Sequence, residues 1–433
     1  MNVLLVKPYW VYPYSKGEYT YNRIWPPIAL ANSAALLEQQ GHKVQILDAH
    51  ALRIKPADIP SSAEGYDQVF VTSSTLDRWQ CPNMDITSFY NTVAMLRSAT
   101  ENVYVMGYHG TVDPEAMLLR TRAKAVIRGA PEQGVVSLCG REKLEDIGGI
   151  SYEQNGRIVS SAARGELDMK EFPVPAYHLL DVKKYQYEIL GRHFMLFETQ
   201  RGCPYQCRFC NKMMYPEKLM GKSIEQIQKE LSTAMERYGV RSGYFIDLDF
   251  LIHRDITEQI CEFLIKKKYS FKWCCQTRPD QIQLDLLKMM KSAGCQLIHL
   301  GVESGLEKFL TLSQKHSSLK SIEKAVSLCE QVGIQTLAFY LFGFKGESSA
   351  DRQAIFEYAK RLNTNYVSFH KIYPYQFDEI LMPDLLHNED IDKFIRAKTM
   401  QYYLRWNYLK KAQPLAVIRS LNLLFGRYTS LMP

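Results

Sequence analysis

The chain has 433 residues, 46% of them hydrophobic and 12% aromatic, which is enough material for two or three domains with sizeable cores. Its formal net charge of +7 is modest and gives little reason of its own to expect a nucleic-acid partner. The apolar runs are far shorter than a membrane span, and the segment from Met1 to Lys7 reads as a strand rather than a signal peptide. Ten cysteines, three of them clustered, indicate a reducing cytosol rather than a disulfide framework, so we expect a cytoplasmic protein.

Residues 1–150 alternate short apolar segments with helix-like ones. The predicted strands are 3–6, 43–47, 68–72, 103–106 and 125–128. The clearest helix separates the first two strands, with Pro27 at its start and Gly41 just past its end. This alternation predicts an α/β unit with a parallel, doubly wound, Rossmann-like sheet.

Polar and glycine-containing turns follow the third, fourth and fifth of these strands. Ligands of doubly wound sheets lie beyond the carboxyl ends of the strands, so these turns hold candidate binding residues. The candidates are Ser74, Gly107, Tyr108, His109, Gly129, Glu132 and Gln133. His109 has a plainer alternative, because a polar residue at a strand end often caps a following helix, here one that begins near Asp113.

Residues 151–190 are predicted to form a hairpin and a linker. Asn155-Gly156 stands between two strand-like segments, which is the strongest short-range signal for a hairpin. Pro173 and Pro175 then predict an extended connection to the next domain.

The most informative motif is the triplet Cys203, Cys207 and Cys210, spaced C-x3-C-x2-C with the aromatic Phe209 before the third cysteine. Three local thiolates can hold three irons of a 4Fe–4S cube, which leaves the fourth iron open to a small molecule. A zinc site would normally need a second pair of ligands nearby, and none follows. Three incidental cysteines are the other alternative, but the triplet comes directly after an apolar strand at 194–197.

This motif after a strand resembles the signature of the radical SAM superfamily. In that family S-adenosylmethionine (SAM) chelates the open iron, and its reductive cleavage yields a 5′-deoxyadenosyl radical. Segments 244–250, 275–280, 295–305 and 333–347 resemble the second to fifth core strands in order, the last with a helix opening at Glu347. The resemblance implies that residues 191–376 form a partial (β/α)6 TIM-type barrel, with a sixth strand at 366–373. It also implies a set of SAM-binding residues: Phe209, Asp247, Gln276, Arg278, Glu303, Ser304 and Gly343.

The turns of residues 1–150 resemble the cobalamin-binding domain that is fused to one large class of radical SAM enzymes. In that domain a Ser-x-Leu turn and a glycine-rich turn hold the nucleotide tail of the vitamin. Ser74, Leu76 and Gly107 match those turns by position, although only one glycine of the family's pair is present. The resemblance therefore implies that these three residues, with the other turn candidates, bind cobalamin.

The resemblance also concerns which residue lies at the lower face of cobalt. The family's Asp-x-His-x-x-Gly motif is absent after the first strand, and His50 follows the second strand, so we do not expect His50 to ligate cobalt. Arg78 and Trp79, just beyond the Ser-x-Leu turn, are implied to face the lower side. The alternative is a loop that only packs on the sheet.

Residues 377–433 are predicted to be helical. From Lys393 to Pro433 there are eight Lys or Arg and no Asp or Glu, interleaved with aromatic and aliphatic residues. One interpretation is a helical lid with a solvated basic face, and the other is a surface for an anionic substrate, a carrier or a membrane interface.

Together the resemblances imply a cobalamin-dependent radical SAM methyltransferase acting on an unactivated carbon, less often phosphorus, of a small molecule or lipid. The expected cofactors are a 4Fe–4S cluster on Cys203, Cys207 and Cys210, SAM and cobalamin, with an electron donor such as flavodoxin or ferredoxin as partner. A first alternative is radical rearrangement, ring closure or oxidation without methyl transfer. A second is a tRNA-modifying enzyme, which would normally append a recognisable RNA-binding module; we therefore expect no nucleic acid.

Overall fold

The computed structural model describes residues 1–10, 24–59, 65–74, 86–140, 142–163, 165, 168–216, 218–372, 388–406 and 408. The chain forms two compact units. The first unit comprises residues 1–202 and 212–243, and the second comprises residues 203–211 and 244–433. This division differs from the four predicted segments, and the boundaries at residues 150, 190 and 376 stay a prediction.

The first unit contains a seven-stranded sheet in the order β2-β1-β3-β4-β5-β6-β7. Its strands are β1 Asn2–Lys7, β2 Lys43–Asp48, β3 Gln68–Thr72, β4 Val103–Met106, β5 Ala125–Ile127, β6 Ile150–Gln154 and β7 Arg157–Ser160. The helices among them are α1 Ile28–Gln39, α2 Ala49–Leu52, α3 Thr87–Ala99, α4 Tyr108–Val112, α5 Pro114–Thr121 and α6 Pro131–Cys139. The first five strands pair in parallel, and β6 and β7 add an antiparallel hairpin at the edge.

Alternate residues of these strands face opposite sides of the sheet. Leu4 and Val6 of β1 pack with Phe89 and Val93 of α3 in one hydrophobic cluster, whereas α1 packs against α6. Helices therefore cover both faces, as expected for a doubly wound sheet whose strands are buried on both sides. Since the strand order reverses at β1, the carboxyl ends of β1 and β3 flank the topological switch point, where such folds bind ligands.

The predicted hairpin is confirmed by its backbone. Asn155 and Gly156 have φ values of 53° and 74°, the left-handed pair that a two-residue type I′ turn requires. The strands pair from Ser151 with Ser160 to Gln154 with Arg157. The register places Asn155 and Gly156 alone in the turn.

The short elements that follow are β8 Gln186–Tyr187, β9 Gly191–Arg192, β10 Phe194–Phe197, β11 Gln200–Arg201, β12 Met220–Gly221 and α7 Ile224–Ser232. The remaining strands are β13 Ser242–Phe245, β14 Lys272–Thr277, β15 Cys295–Glu303, β16 Gln335–Phe342 and β17 Tyr366–Lys371. The remaining helices are α8 Arg254–Lys267, α9 Leu284–Ser292, α10 Glu307–Leu312, α11 Leu319–Val332, α12 Ser349–Leu362 and α13 Glu389–Tyr403.

The second large sheet has six strands in the order β10-β13-β14-β15-β16-β17, which is the order of the chain. Strands β14 to β17 pair in parallel, and helices connect them. A chain-ordered sheet of six strands with helical crossovers is the open barrel that the sequence predicted, and the α/β fold class is confirmed. The opening of α12 differs from the prediction, because its capping box uses Ser348 and Asp351 and the helix begins at Ser349 rather than Glu347. The sixth strand, predicted at 366–373, ends at Lys371. No helix in the described ranges is both long enough and apolar enough to cross a membrane.

Candidate active site

The three motif cysteines lie on a loop of the second unit. A turn in which the N–H of Cys210 donates to the carbonyl of Cys207 at 3.0 Å shapes the loop. Cys203, Cys207 and Cys210 are half-buried, whereas the other six described cysteines are buried, and none of the nine is in a disulfide. Burial raises the pKa of Cys139 and of Cys329 to about 12, which keeps those two as unreactive thiols. The motif therefore contains the accessible thiols of the described chain.

The thiols of the loop match the ligands of a cubane cluster in number and type. Among the residues that the structure describes, no three His, Cys, Asp or Glu side chains form a site for one metal ion. A cubane cluster makes a different demand, since each thiolate ligates a separate iron. Three half-buried cysteines on one short loop meet that demand in number, type and access.

Arg278, directly after β14, lies against this loop. Its Nη1 donates to Sγ of Cys207 at 3.8 Å, and its guanidinium carbon lies 3.9 Å from the ring centre of Tyr205. The amide of Gln281 donates to the Tyr205 hydroxyl at 2.6 Å. Residues at the end of one strand thus hold both a cysteine and the aromatic residue between the first two cysteines.

A buried ion pair lies beside the same loop. Nζ of Lys315 lies 2.7 Å from Oε1 of Glu303, and the two side chains are 6% and 7% exposed. Nζ is also 5.7 Å from the ring centre of Phe209. Glu303 is a non-glycine residue with a φ of 63°, at a point where the register of β15 with β16 shifts. Such a conformation costs free energy and is typical of functional sites.

Gly301 is required by this arrangement. A Cβ at residue 301 would lie 2.5 Å from Nζ of Lys315 and 2.6 Å from Oε1 of Glu303. Any side chain would therefore separate the pair or displace it. The glycine of the Gly301-Val-Glu303 segment makes room for the Lys315 ammonium.

The other predicted SAM residues lie at the ends of neighbouring strands. Asp247 and Ser304 are buried, and Oγ of Ser304 accepts the N–H of Leu306 at 3.2 Å. The amide of Gln276 donates to the carbonyl of Leu248 at 3.3 Å. Gly343 has a φ of 102° and donates its N–H to Glu347 at 3.0 Å. Whether they contact SAM stays a prediction.

Asp249, which the sequence interpretation did not select, is a buried carboxyl near these residues. The hydroxyl of Thr277 donates to its Oδ1 at 2.6 Å. Burial raises the pKa of Asp249 to about 6, against the opposing influence of that hydrogen bond and of Arg278.

In the first unit, the predicted cobalamin residues after β3 and β4 are joined by hydrogen bonds. Oγ of Ser74 accepts the N–H of Tyr108 at 2.8 Å, and Oγ of Ser73 accepts the N–H of His109 at 3.2 Å. Nδ1 of His109 lies 2.9 Å from the carbonyl oxygen of Ser73. Gly107, with a φ of 101°, lets the chain pass because a Cβ there would lie 2.7 Å from Oγ of Ser74. The structure thus brings these turn residues together.

A pocket opens at this edge of the sheet. Residues from the carboxyl ends of β1, β3 and β4 and from the starts of α1 and α6 line it, together with Met214 from the segment between β11 and β12. The lining from the strands and helices is Lys7, Pro27, Ala29, Leu30, Thr72, Ser74, Gly107 and Pro131. The pocket lies at the topological switch point of the sheet, which is where folds of this kind bind ligands. Leu76, Arg78 and Trp79 lie outside the described residues.

Glu132 has a different environment from the one expected. Both of its carboxylate oxygens accept from Arg201, at 2.6 and 3.1 Å, and Arg201 also donates to Glu198 at 2.9 Å. All three side chains are buried, and the guanidinium lies 4.7 Å from the ring centre of Phe172. Glu132 is therefore explained by this ion pair, and its contact with cobalamin, like those of Gly129 and Gln133, stays a prediction.

His50 lies in the core of the first unit. It is buried, its Nδ1 accepts the N–H of Trp10 at 3.2 Å, and its ring lies 5.6 Å from that of Tyr9. The neighbouring Asp48 caps α2 and accepts the Tyr185 hydroxyl at 2.9 Å. These contacts agree with a structural role for His50.

The basic C-terminal segment is described only in part, since residues 407 and 409–433 lie outside the described ranges. Within α13, Lys393 pairs with Glu389 at 3.3 Å and Nζ of Lys398 lies 4.8 Å from the ring centre of Phe356. The guanidinium of Arg405 lies 3.4 Å from the ring centre of Tyr402. These three basic residues have intramolecular contacts, and neither interpretation of the segment as a whole is tested.

Sequence reasoning missed Lys315 and Arg201. A single lysine in Gln314-Lys315-His316 has no local pattern, and its partner is 12 residues away. Arg201 stands directly before Gly202 and Cys203, but Glu132 is 69 residues away. No periodicity in the sequence reports such pairs.

Comparisons with known proteins show which proteins this chain resembles. Residues 197–359 match the family model of the Radical SAM superfamily. An uncharacterized methyltransferase of Pyrococcus horikoshii is 26% identical over 421 residues, which is 89% of each chain. An anaerobic magnesium-protoporphyrin IX monomethyl ester cyclase of Rubrivivax gelatinosus is 24% identical over 415 residues, covering 91% of this chain and 72% of the relative.

A solved structure gives the same fold. The radical S-adenosylmethionine methyltransferase TsrM from Kitasatospora setae, with cobalamin and a 4Fe–4S cluster bound, superposes with a TM-score of 0.67 at 17% identity. The match covers 86% of this chain and 74% of that one. Residues 197–359 of this chain therefore form a radical SAM domain. The fold of the chain is that of this solved structure, as the sequence motifs implied.

Proposed function

We propose that this chain is a cobalamin-dependent radical SAM methyltransferase that methylates an unactivated carbon, less often phosphorus, of a small molecule or lipid. The observation that carries the proposal is the loop with three accessible cysteines against the charged residues Arg278, Glu303 and Lys315 in the second unit. That arrangement would serve an open-iron cluster and a zwitterionic ligand.

Each part of this site has a task. Cys203, Cys207 and Cys210 would hold the cluster, which with SAM supplies radical chemistry, while cobalamin supplies the methyl group. Glu303 and Ser304 at the end of β15 would bind the charged and polar parts of SAM. The protein contributes position, charge and exclusion of water, and the cofactors carry the reaction itself. An electron donor such as flavodoxin or ferredoxin would supply the reducing electron.

In the first unit, the proposed cobalamin site is the pocket bounded by Ser74 and Gly107. The proposal is supported by the position of this pocket at the carboxyl ends of the strands and by the turn at Gly107, which lies against Ser74. The Pyrococcus horikoshii relative matches over 89% of each chain, which is more than either unit alone, and this supports a shared arrangement of two units.

A second candidate is ring closure or oxidation by the same radical machinery. The similarity to a relative named as an anaerobic ester cyclase, over 91% of this chain, supports this alternative. Both candidates need the cluster and SAM, and they differ in whether a methyl group passes through cobalamin.

The cluster is tested by iron and sulfide analysis of anaerobically reconstituted full-length protein. Wild-type protein should bind about four irons and four sulfides per chain. The triple variant Cys203→Ala, Cys207→Ala, Cys210→Ala should lose both, together with reductive cleavage of SAM. Cys329→Ala, which changes a buried cysteine of α11, is the matched control and should keep its iron. Unchanged iron content in the triple variant would refute the cluster assignment.

Methyl transfer is tested with hydroxocobalamin and SAM that carries a deuterated methyl group. The reduced protein should bind the corrinoid base-off, and His50→Ala should leave that spectrum unchanged. With a chemical reductant, the label should reach cobalt and be measured as labelled methylcobalamin by mass spectrometry. Binding without label transfer would favour the ring-closure alternative, and failure to bind cobalamin would defeat the methyltransferase proposal.

A further inference from the structure

We propose that Arg278 sets the reduction potential of the cluster by donating an N–H to Sγ of Cys207. The inference rests on the proposed function, because it requires a cluster on the cysteine loop. It gives Arg278 a role different from the SAM contact that the family resemblance implied.

The orientation of the guanidinium is fixed on one edge. Nε donates to Asp280 at 3.1 Å, and Nη2 donates to the carbonyl of Lys315 at 2.5 Å and to Asp280 at 3.3 Å. The Ser317 hydroxyl lies 3.5 Å from Nη2 and itself donates to Asp280 at 3.2 Å. With Nε and Nη2 held in this way, Nη1 is directed at Sγ of Cys207.

The face of the guanidinium is also occupied. It stacks on Tyr205 at 3.9 Å, and Gln281 holds the Tyr205 hydroxyl. Tyr205 lies between Cys203 and Cys207 in the sequence, so the stack fixes the loop and the cation relative to each other. Every nitrogen of Arg278 has a partner within the protein, which leaves a poor geometry for a further bidentate contact to SAM.

The charge of Arg278 acts at short range because the side chain is buried. The residue is 6% exposed, and its guanidinium is always protonated. The adjacent Lys315 and Glu303 neutralise each other, and Asp280 is 32% exposed on its side chain. Adding an electron to the cluster increases the negative charge on its sulfurs, so a buried cationic donor stabilises the reduced state more than the oxidised one.

Two substitutions separate the charge from the geometry. Arg278→Gln removes the charge, and Arg278→Lys keeps it but loses the planar fork that Asp280 and Tyr205 orient. Asp280→Asn weakens the hydrogen bonds that orient the guanidinium of Arg278, and it changes neither residue of the contact between Arg278 and Cys207. Arg254→Gln removes an arginine that pairs with Glu258 and Asp285 at the start of α8, and it is the matched control.

The measurement is a potentiometric titration of the reconstituted full-length protein, followed by EPR of the reduced cluster without SAM. For Arg278→Gln, the equilibrium constant for one-electron reduction by the titrant should fall by about tenfold, equal to about 59 mV for a one-electron couple. The reduction potentials of Arg278→Lys and Asp280→Asn should lie between those of Arg278→Gln and wild type. The potential of Arg254→Gln should equal that of wild type. SAM affinity should change by less than about threefold in all of them.

The outcomes distinguish this inference from the proposed function. If wild-type protein assembles no cluster, the proposed function fails first. If the cluster assembles and its potential is unchanged in Arg278→Gln while SAM affinity falls tenfold, the inference is overturned and the SAM contact is favoured. If Arg278→Gln assembles too little cluster to titrate, the potentials of Arg278→Lys and Asp280→Asn decide, and wild-type values in both would overturn it.

Discussion

Nζ of Lys315 and Oε1 of Glu303 lie 2.7 Å apart in the interior of the second unit, next to the cysteine loop. Burial opposes the lysine charge, but Glu303 and Cys207 reverse that effect and raise the pKa of Lys315 above its ordinary value. A buried ion pair of this kind adds little to the stability of the fold. Removal of one partner is costly, however, because the other charge is then buried and unpaired. Whether Glu303 also binds SAM stays a prediction.

We expect Glu303→Ala to have two effects that can be separated. The lost carboxylate should weaken SAM binding by about tenfold or more, as removal of a charge-assisted contact does. It should also lower the free energy of unfolding by about 3–5 kcal/mol, because Lys315 is left buried and unpaired. Isothermal titration with SAM and chemical denaturation measure the two effects.

The double variant Glu303→Ala, Lys315→Met is the control for this prediction. It should regain most of the unfolding free energy, since no buried charge remains, while SAM binding stays weak. Recovery of SAM affinity in the double variant would show that Glu303 serves only to neutralise Lys315.

The buried group of Arg201, Glu132 and Glu198 predicts an asymmetry. Arg201→Met leaves two buried carboxylates without their cation and should cost about 3–5 kcal/mol of unfolding free energy. Glu132→Gln leaves Arg201 balanced by Glu198 and should cost about 1–2 kcal/mol. Glu357→Gln at an exposed pair with Lys360 is the reference and should cost less than about 1 kcal/mol. Equal costs for the Arg201 and Glu132 variants would contradict a shared cation.

Gly107 and Ser74 predict how the pocket of the first unit responds to small changes. Gly107→Ala should weaken binding of hydroxocobalamin by about tenfold or more, because the φ of 101° and a Cβ 2.7 Å from Ser74 displace the turn. Ser74→Ala should weaken it less, through loss of the bond to the Tyr108 N–H. Gly165→Ala, where a Cβ meets nothing within 4 Å, is the matched control for equilibrium dialysis. Wild-type affinity in both pocket variants would place the corrinoid elsewhere.

Glu347 predicts a pH dependence of stability. Burial raises its pKa from 4.5 to about 7, although the N–H groups of Gly343 and Phe344 favour the charged form. The folded state therefore holds more protons than the unfolded state between about pH 4.5 and 7. The contribution of Glu347 to the free energy of unfolding consequently falls as pH rises through that window. Wild-type protein should lose on the order of 2 kcal/mol across it relative to Glu347→Gln.

The difference in unfolding free energy between wild type and Glu347→Gln separates the effect of Glu347 from that of other titrating groups. Asp249, with a raised pKa of about 6, and His370, whose pKa burial lowers to about 4, contribute equally to both curves. Parallel unfolding free energies for wild type and Glu347→Gln from pH 4.5 to 8 would contradict the prediction.

The sequence determined the elements that depend on local chemistry. Asn155-Gly156 specifies its hairpin because its residues adopt positive φ at low cost, and the alternation of apolar strands with helices specifies both sheets. The spacing of Cys203, Cys207 and Cys210 likewise predicts a cluster from three ligands on one loop. These features need no distant partner.

Tertiary structure decided the partners of the charged residues. The position of Glu132 in the sequence places it in a candidate binding turn, whereas in the structure both of its carboxylate oxygens accept from Arg201. The family resemblance implies that Arg278 contacts SAM, and in the structure its nitrogens contact Asp280, the Lys315 carbonyl and Cys207. The physical reason is that a buried charge takes whichever opposite charge or dipole the fold brings within about 3 Å, and that neighbour is set by the packing of distant strands rather than by local sequence.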